Sequence, residues 1–168
     1  MAKRILNMTA EEMTHATKSE LIEAIAGSEG RVLASETIGI TIPLLTDVTN
    51  AEFAASMGAD LILLNMFDVQ EPKIMALPEV EKEETVREVK RLTGRMVGIN
   101  LEPVEESYAS DNKETLWEMS AGRYATVENA IQAQKMGVDL IVLTGNPGNG
   151  VSNPAIISSL KAISEAVG

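Results

Sequence analysis

The residues of this chain that could do chemistry stand at the ends of short apolar runs. Glu36 follows Val32-Leu33-Ala34-Ser35, and Asn65 and Asp68 follow Leu61-Ile62-Leu63-Leu64. Asn100 and Glu102 close the run that starts at Met96, and Thr144, Gly145 and Asn146 follow Leu140-Ile141-Val142-Leu143. Carboxylates gathered with amide oxygens form the ligand set of Mg²⁺ or Mn²⁺. Carboxylates held close together also split their pKa values and can act as acid and base. On this reading Glu36 and Glu102 are the catalytic candidates and Asp68 is the metal-ligand candidate, with Mg²⁺ as the cofactor. Asn65, Asn100 and Thr144 are candidates for holding substrate. The alternative is that each acid caps a helix or pairs with an arginine in a loop.

The sharpest local feature is the segment Gly145-Asn146-Pro147-Gly148-Asn149-Gly150. Glycines between a buried strand and a helix leave backbone N–H groups free to cradle an anion. Gly145, Asn146 and Gly148 are the candidate contacts; Pro147 has no N–H to give. The segment is neither a GK[ST] phosphate loop nor a GxGxxG dinucleotide fingerprint, and a structural turn is its alternative. The ligand it would suit is a small phosphorylated or carboxylated metabolite.

Other chemistries find little to work with. The chain has no cysteine and one histidine, His15, placed before the first strand. Thiolate and histidine-rich zinc sites therefore lack ligands. No GxSxG elbow supports a serine hydrolase. Lys73 and Arg123 could reach an anion from loops. Asp47 and Asn50 precede a helix and suit capping. Tyr108 and Trp117 lie in the long segment Glu102 to Ala125, a lid or a carrier of a short helix from Lys113 to Met119.

The elements that must position these residues follow from hydrophobic pattern. Strands are expected at Arg31–Ile38 (extending toward Ile42), Asp60–Met66, Arg95–Leu101 and Asp139–Thr144, all short continuous apolar runs typical of strands buried on both faces. Helices are expected after them at Val48–Met57, Glu79–Leu92, Thr126–Met136 and Asn153–Val167, the last with Pro154 at a first-turn position. A further helix, Thr9–Ala26, precedes the first strand and could plug one end of the sheet. Strict alternation implies a parallel sheet with right-handed crossovers.

The chain also repeats itself. Asn50–Asn65 (NAEFAASMGADLILLN) and Asn129–Thr144 (NAIQAQKMGVDLIVLT) agree at nine of sixteen positions, 79 residues apart. Each copy is a helix, a Met-Gly stop, an aspartate and a strand. The glycine suits a left-handed helix terminus and the aspartate can tie down the turn. Duplicated units favour an α/β fold of TIM-barrel type. With four strands and four helices plus the leading helix, residues 1–168 make one (β/α)₄ domain, about half of a barrel that needs ~250 residues. A half barrel is closed by a second copy or by further chain; the remaining alternative is an open doubly wound sheet.

Net charge is −11, which repels phosphate backbones and anionic membranes, so neither nucleic acid nor a membrane is an expected partner. No run is long and apolar enough for a membrane span, and the N-terminus lacks the apolar core of a secretory signal. A cytoplasmic protein that forms a homo-oligomer is expected.

Several strand-end motifs look familiar together. SEGR (Ser28–Arg31), LLTDVTNAE (Leu44–Glu52), GADLILLNMFD (Gly58–Asp68), GINLEPV (Gly98–Val104) and LTGNPGNGVSN (Leu143–Asn153) resemble a bacterial family of TIM-barrel proteins. Its members are labelled phosphoenolpyruvate phosphonomutase-like or haloacid-dehalogenase-like hydrolases. The resemblance spans nearly the whole chain and corresponds to the N-terminal half of that family, whose members continue into further β/α units. The dehalogenase DxDx[TV] motif is absent, since neither Asp47 nor Asp68 has a second aspartate two residues on, although LTGN resembles that superfamily's strand-end threonine. The phosphonomutase group's DGDTGYG-like loop is absent too, while acidic strand ends are shared. The resemblance thus implies the fold and its acidic strand ends, while the acids themselves and the glycine-rich loop point to a metal-assisted lyase or isomerase acting on that metabolite. A non-catalytic metabolite-binding or assembly module, or an inactive part of a longer enzyme, is the competing expectation.

Overall fold

The computed structural model describes residues 3–105, 119–145 and 150–168. The leading segment forms two helices, α1 (Ala10–His15) and α2 (Lys18–Gly27), where one was expected. Thr17 divides them. Its hydroxyl accepts from the Glu20 amide, and the Glu20 carboxylate accepts from the Thr17 amide. Thr9 and Glu12 form the same reciprocal cap on α1. Two capping boxes in succession start two helices, because each satisfies amides that a continuous helix would have bonded internally.

The chain then alternates: β1 (Ala34–Ile38), α3 (Asn50–Ser56), β2 (Leu61–Asn65), α4 (Thr85–Thr93), β3 (Met96–Leu101), α5 (Val127–Lys135), β4 (Leu140–Leu143) and α6 (Asn153–Ala166). β1 stops short of Ile42 because the Thr41 amide turns back to the Ile38 carbonyl. The helix expected from Glu79 opens instead with a 3₁₀ turn at Lys82–Glu84. The strands form one parallel sheet in the order β1-β2-β3-β4. Each unit lies beside its predecessor with no reversal, whereas a doubly wound sheet reverses at a switch point. The fold is α/β, four TIM-barrel-type units forming half a barrel. Among the described residues, β1 and β4 each pair on one side only.

The internal repeat is structural. In both copies a left-handed glycine ends the helix, Gly58 at φ 100° and Gly137 at φ 91°. The aspartate two residues on then clamps the neighbouring strand. Asp60 donates its amide to the Leu33 carbonyl at 2.8 Å and accepts the Leu33 amide on its carboxylate at 2.8 Å. Asp139 does the same with Val97, both bonds at 2.8 Å. The repeated asparagines are also equivalent: each ties down the loop before its helix. Asn50 accepts from the Leu44 amide at 3.0 Å, and Asn129 donates to the Ala121 and Tyr124 carbonyls at 2.8 and 2.9 Å. Asn50 is therefore not the cap of α3; that role belongs to Thr49, in a third capping box with Glu52.

The sheet has two unlike faces. Ile62, Leu64, Val97, Ile99 and Leu101 point to one face and are buried beneath Ala51, Val86, Val89, Ala133 and Met136 of the crossover helices. Truncating Ile99 to alanine there should cost roughly 2–5 kcal/mol. The other face carries Leu61 and Met96 in one layer and Glu36, Leu63, Gly98 and Leu140 in the next. Its lower part is plugged as expected: Ile5, Met13 and Ala24 of the leading segment pack on Leu61 and Met96. Gly98 is required here, since a Cβ would lie 2.7 Å from Leu140 Cγ. Above that layer the face turns partly polar and open, Asn65 and Asn100 lying between Ile38 and Val142, beside the exposed Glu36.

Candidate functional site

The open upper face holds three of the side chains selected from sequence. Glu36 lies on β1, Asn65 on β2 and Asn100 on β3, all on the same side of the sheet. Asn65 Nδ2 donates to Glu36 Oε1 at 2.9 Å, and Asn100 Nδ2 donates to Glu36 Oε2 at 3.3 Å. Two strand spacings, about 9.6 Å, separate β1 from β3, so the Glu36–Asn100 bond arches over β2. One carboxylate is thus held by two amides from two strands. Asn65 is fixed in turn by its Oδ1, which accepts from the Met66 amide at 2.7 Å. Met66 takes a left-handed φ of 57°, a strained conformation for an unbranched side chain that sits at the end of the strand carrying the site.

Asn100 is 8 % exposed, and its Oδ1 is buried without a hydrogen-bond partner. Thr144 Oγ1, just past β4, is likewise buried and unpartnered. Asn100 faces Val142 across the ladder, and the Thr144 amide donates to the Leu101 carbonyl at 3.0 Å. Thr144 therefore continues the Asn100 face one layer higher on the neighbouring strand.

The other two acids are engaged in different ways. Glu102 is 6 % exposed and its carboxylate meets the Arg123 guanidinium at 2.6 Å. The Ala121–Arg123 turn reaches it because Glu102 forms an isolated bridge with Tyr124 and its amide donates to the Arg123 carbonyl. Arg123, read from sequence as able to reach an anion, spends its charge on this carboxylate. Asp68 organises the loop after β2: its Oδ1 accepts the amides of Gln70 at 2.7 Å and Glu71 at 2.9 Å. Burial alone would raise the Asp68 pKa. The Ser120 hydroxyl, the Glu71 and Gln70 amides and the nearby Arg123 charge outweigh burial and hold it below the ordinary value of 3.8. Among the described residues, no group of three or more acid, histidine or cysteine side chains is placed to hold a metal ion.

Gly145 is exposed at the start of the glycine-rich loop. Asn146 and Gly148, together with Tyr108, Trp117 and the short helix expected from Lys113, lie outside the described residues. His15 is exposed on α1, its ring nitrogen on the Glu11 carbonyl. A second groove, at the opposite end of the sheet, is lined by Arg87, Lys90 and Arg91. Its cations are already matched, Arg87 by Glu84 at 2.8 Å, Lys90 by Asp139 at 2.7 Å and Arg91 by Glu88 at 2.6 Å. Sequence reasoning missed two structural polar groups, Gln70 and Asn129, which bond each other at 3.1 Å and join the loop after β2 to α5. The matching asparagines of the two repeat copies were the available signal.

Among the described residues, no helix is long and apolar enough to cross a membrane. A family model described as a domain of unknown function (DUF7916) matches residues 6–168. No curated protein and no solved structure matches the chain.

Proposed function

Because the chain belongs to the DUF7916 family, whose description assigns no activity, we propose from the site alone that it acts on a small phosphorylated or carboxylated metabolite at the C-terminal ends of its strands. The reaction class is a lyase or isomerase step driven by proton transfer. The observation that carries this reading is Glu36, a carboxylate at the open mouth of the sheet whose two oxygens are oriented by Asn65 and Asn100. Inward-facing barrel positions are ordinarily filled by bulky apolar residues. Two amides in that layer, one of them with a buried oxygen that has no partner, cost stability that an apolar pair would not.

In this proposal Glu36 exchanges a proton with the substrate, and Asn65 and Asn100 are positioning residues that fix its oxygens. Thr144 and the loop beginning at Gly145 hold the anionic end. Glu102 keeps Arg123 in place and brings its paired charge to the rim. No step is assigned to Mg²⁺, because the three strand-end acids do not gather into a metal-binding group. The unpaired edges of β1 and β4 are the basis for proposing that two copies associate and close the barrel, β4 of each beside β1 of the other.

The test is incubation of the protein with three- to six-carbon carboxylates and phosphate esters, followed by proton NMR for turnover and by calorimetry for binding. Glu36→Gln should lower turnover about 10²- to 10⁴-fold, the usual worth of a general acid or base, while binding persists. Binding without turnover in the unaltered protein would replace the enzyme reading with the non-catalytic one. Binding unchanged in both Glu36→Ala and Glu102→Ala would remove the site itself.

A further inference from the structure

The internal repeat contains its own control for what the sheet lacks. The run Leu61-Ile62-Leu63-Leu64 of β2 and the run Leu140-Ile141-Val142-Leu143 of β4 differ only at Leu63 and Val142. β2 lies between β1 and β3, whereas β4 has only β3 beside it among the described residues. Leu61, Ile62 and Leu64 are buried; Leu140, Ile141 and Leu143 are half-buried and Val142 is exposed. β4 therefore carries the side chains of a central parallel strand at an edge position.

The helix layer shows the same gap from both ends. On α6, Ile156, Leu160 and Ile163 fall on one stripe, at i, i+4 and i+7. Ile163 is buried, yet Leu160 is 55 % exposed. At the other edge, Leu33 precedes β1 and is tied to β2 through Asp60. Alternation from Ala34, which faces Leu61, puts Leu33 on the helix-covered face, and it too is 55 % exposed. A lone exposed leucine says little, but these two match: an apolar helix stripe lacks a strand at one edge, and an apolar strand residue lacks a helix at the other.

A second copy supplies both. Turned about a two-fold axis, it lays its β1 along β4 and its Leu33 under α6, and the same rotation makes the other seam. A strand of some other protein added at β4 would leave β1 bare. The resulting eight strands are the number whose interior side chains just fill a barrel. Register fixes the pairing. Glu36, Leu63, Gly98 and Leu140 lie in one row across the sheet, so β4 begins level with Glu36 while β1 begins at Ala34. The strands thus climb in the sense of a barrel, whose stagger is about eight residues per circuit and about four per half. That stagger sets Val142 opposite the partner's Ala34, and Thr144 opposite the partner's Glu36.

We propose that the strand-end site is shared between two copies of this chain, the wall beside each Glu36 being β4 of the other copy. This rests on the strand-end reading above and names the partner that completes it: one mouth holds Glu36, Asn65 and Asn100 twice, and Val142 and Thr144 close the side that the single chain leaves open.

The test uses the absence of cysteine. In Ala34→Cys/Val142→Cys the two thiols of one chain are three strand spacings apart, about 14 Å, beyond the ~7 Å that a disulfide spans between Cα atoms. Mild oxidation of the dilute protein should therefore consume its thiols in a covalent two-chain product, while each single variant keeps its thiol. Leu160→Lys, which sets a charge in the seam, should give single chains in light scattering; Met57→Lys, at the exposed end of α3, should keep two. Val142→Cys alone forming the covalent product as readily would mean that β4 meets β4, and would overturn the pairing. So would free thiols in the double variant with a single-chain mass throughout. Turnover of a carboxylate or phosphate ester undiminished in single-chain Leu160→Lys would overturn the sharing and leave the strand-end reading standing. The covalent product forming, with no such compound bound or turned over by the unaltered protein, would keep the interface and overturn the strand-end reading.

Discussion

Replacing Asn100 by leucine should make the protein more stable. Asn100 is 8 % exposed and its Oδ1 is buried without a partner. An unsatisfied buried polar group of this kind costs about 1–3 kcal/mol, and leucine, larger but with the same branched skeleton, removes that penalty. The loss on the other side is one long bond, 3.3 Å from Nδ2 to an exposed carboxylate, worth about 0.5–1.5 kcal/mol. Burying the leucine methyls adds a favourable contribution of about 0.8 kcal/mol per carbon. These contributions come to about 1–4 kcal/mol, and fitting the larger leucine takes back about 1 kcal/mol or more, so the net expectation is about 1–2 kcal/mol of added stability. Urea unfolding followed by circular dichroism reads this as a midpoint raised by about 0.5–1 M, for a slope near 2 kcal/mol/M. Asn129→Leu is the internal control. Asn129 is 3 % exposed, and its amide is used by two carbonyls and by Gln70. Its replacement strands three partners and should lower stability by about 3 kcal/mol or more. If Asn100→Leu lowers the midpoint as Asn129→Leu does, the oxygen is satisfied in solution and Asn100 is a structural residue. The opposite signs expected for two buried asparagines separate a group kept for a ligand from one kept for the fold.

Three further outcomes follow from the same geometry. Arg123→Met leaves the buried Glu102 carboxylate without its guanidinium and should cost about 3–5 kcal/mol in urea unfolding; a loss under 1 kcal/mol would place the pair in solvent. The Asp68 carboxyl, with its folded pKa below the ordinary 3.8, adds stability at pH values above the unfolded pKa and loses it as pH falls through the folded value. Acid unfolding of the unaltered protein should therefore steepen below about pH 4, more than in Asp68→Asn, and matching acid curves would contradict this. Light scattering across a concentration series should give the mass of two chains if β4 of each copy pairs with β1 of the other; a constant single-chain mass of 18.0 kDa would refute that pairing.

β2, β3 and β4 were legible because each is a short apolar run with polar residues at or just past its end, the switch that marked Asn65 and Asn100; β1 is the polar sequence Ala-Ser-Glu-Thr-Ile with Glu36 at its centre, found only through the apolar Val32-Leu33 before it. The convergence of Glu36, Asn65 and Asn100 was not legible, since it depends on register: Glu36 lies opposite Leu63, one layer below Asn65, and reaches upward. The break between α1 and α2 was readable in principle. Thr-x-x-Glu at Thr9, Thr17 and Thr49 begins a helix with a capping box, whereas the same spacing at Thr85 lies inside the first turn of α4 and caps nothing. Periodicity alone ran through the second of these and set the start of α3 at the wrong residue. Glu102 and Asp68 resembled Glu36 in type and position, yet Glu102 pairs with Arg123 and Asp68 adds Ser120 to the local Gln70 and Glu71 amides, so both are tied to the Ser120–Arg123 turn far along the chain. Nothing in local spacing announces such a tertiary partner, so three equivalent carboxylates in sequence become one exposed acid, one buried ion pair and one loop anchor.

The most direct test of the site is the side-chain amide spectrum of the ¹⁵N-labelled protein, titrated with the carboxylates and phosphate esters named above. The Asn65 and Asn100 resonances should shift saturably with a ligand, while those of Asn50 and Asn129, tied into loops, stay in place. Shifts confined to Asn50 or Asn129, or Asn65 and Asn100 signals unmoved by ligands that calorimetry shows to bind, would place the functional site elsewhere in the chain.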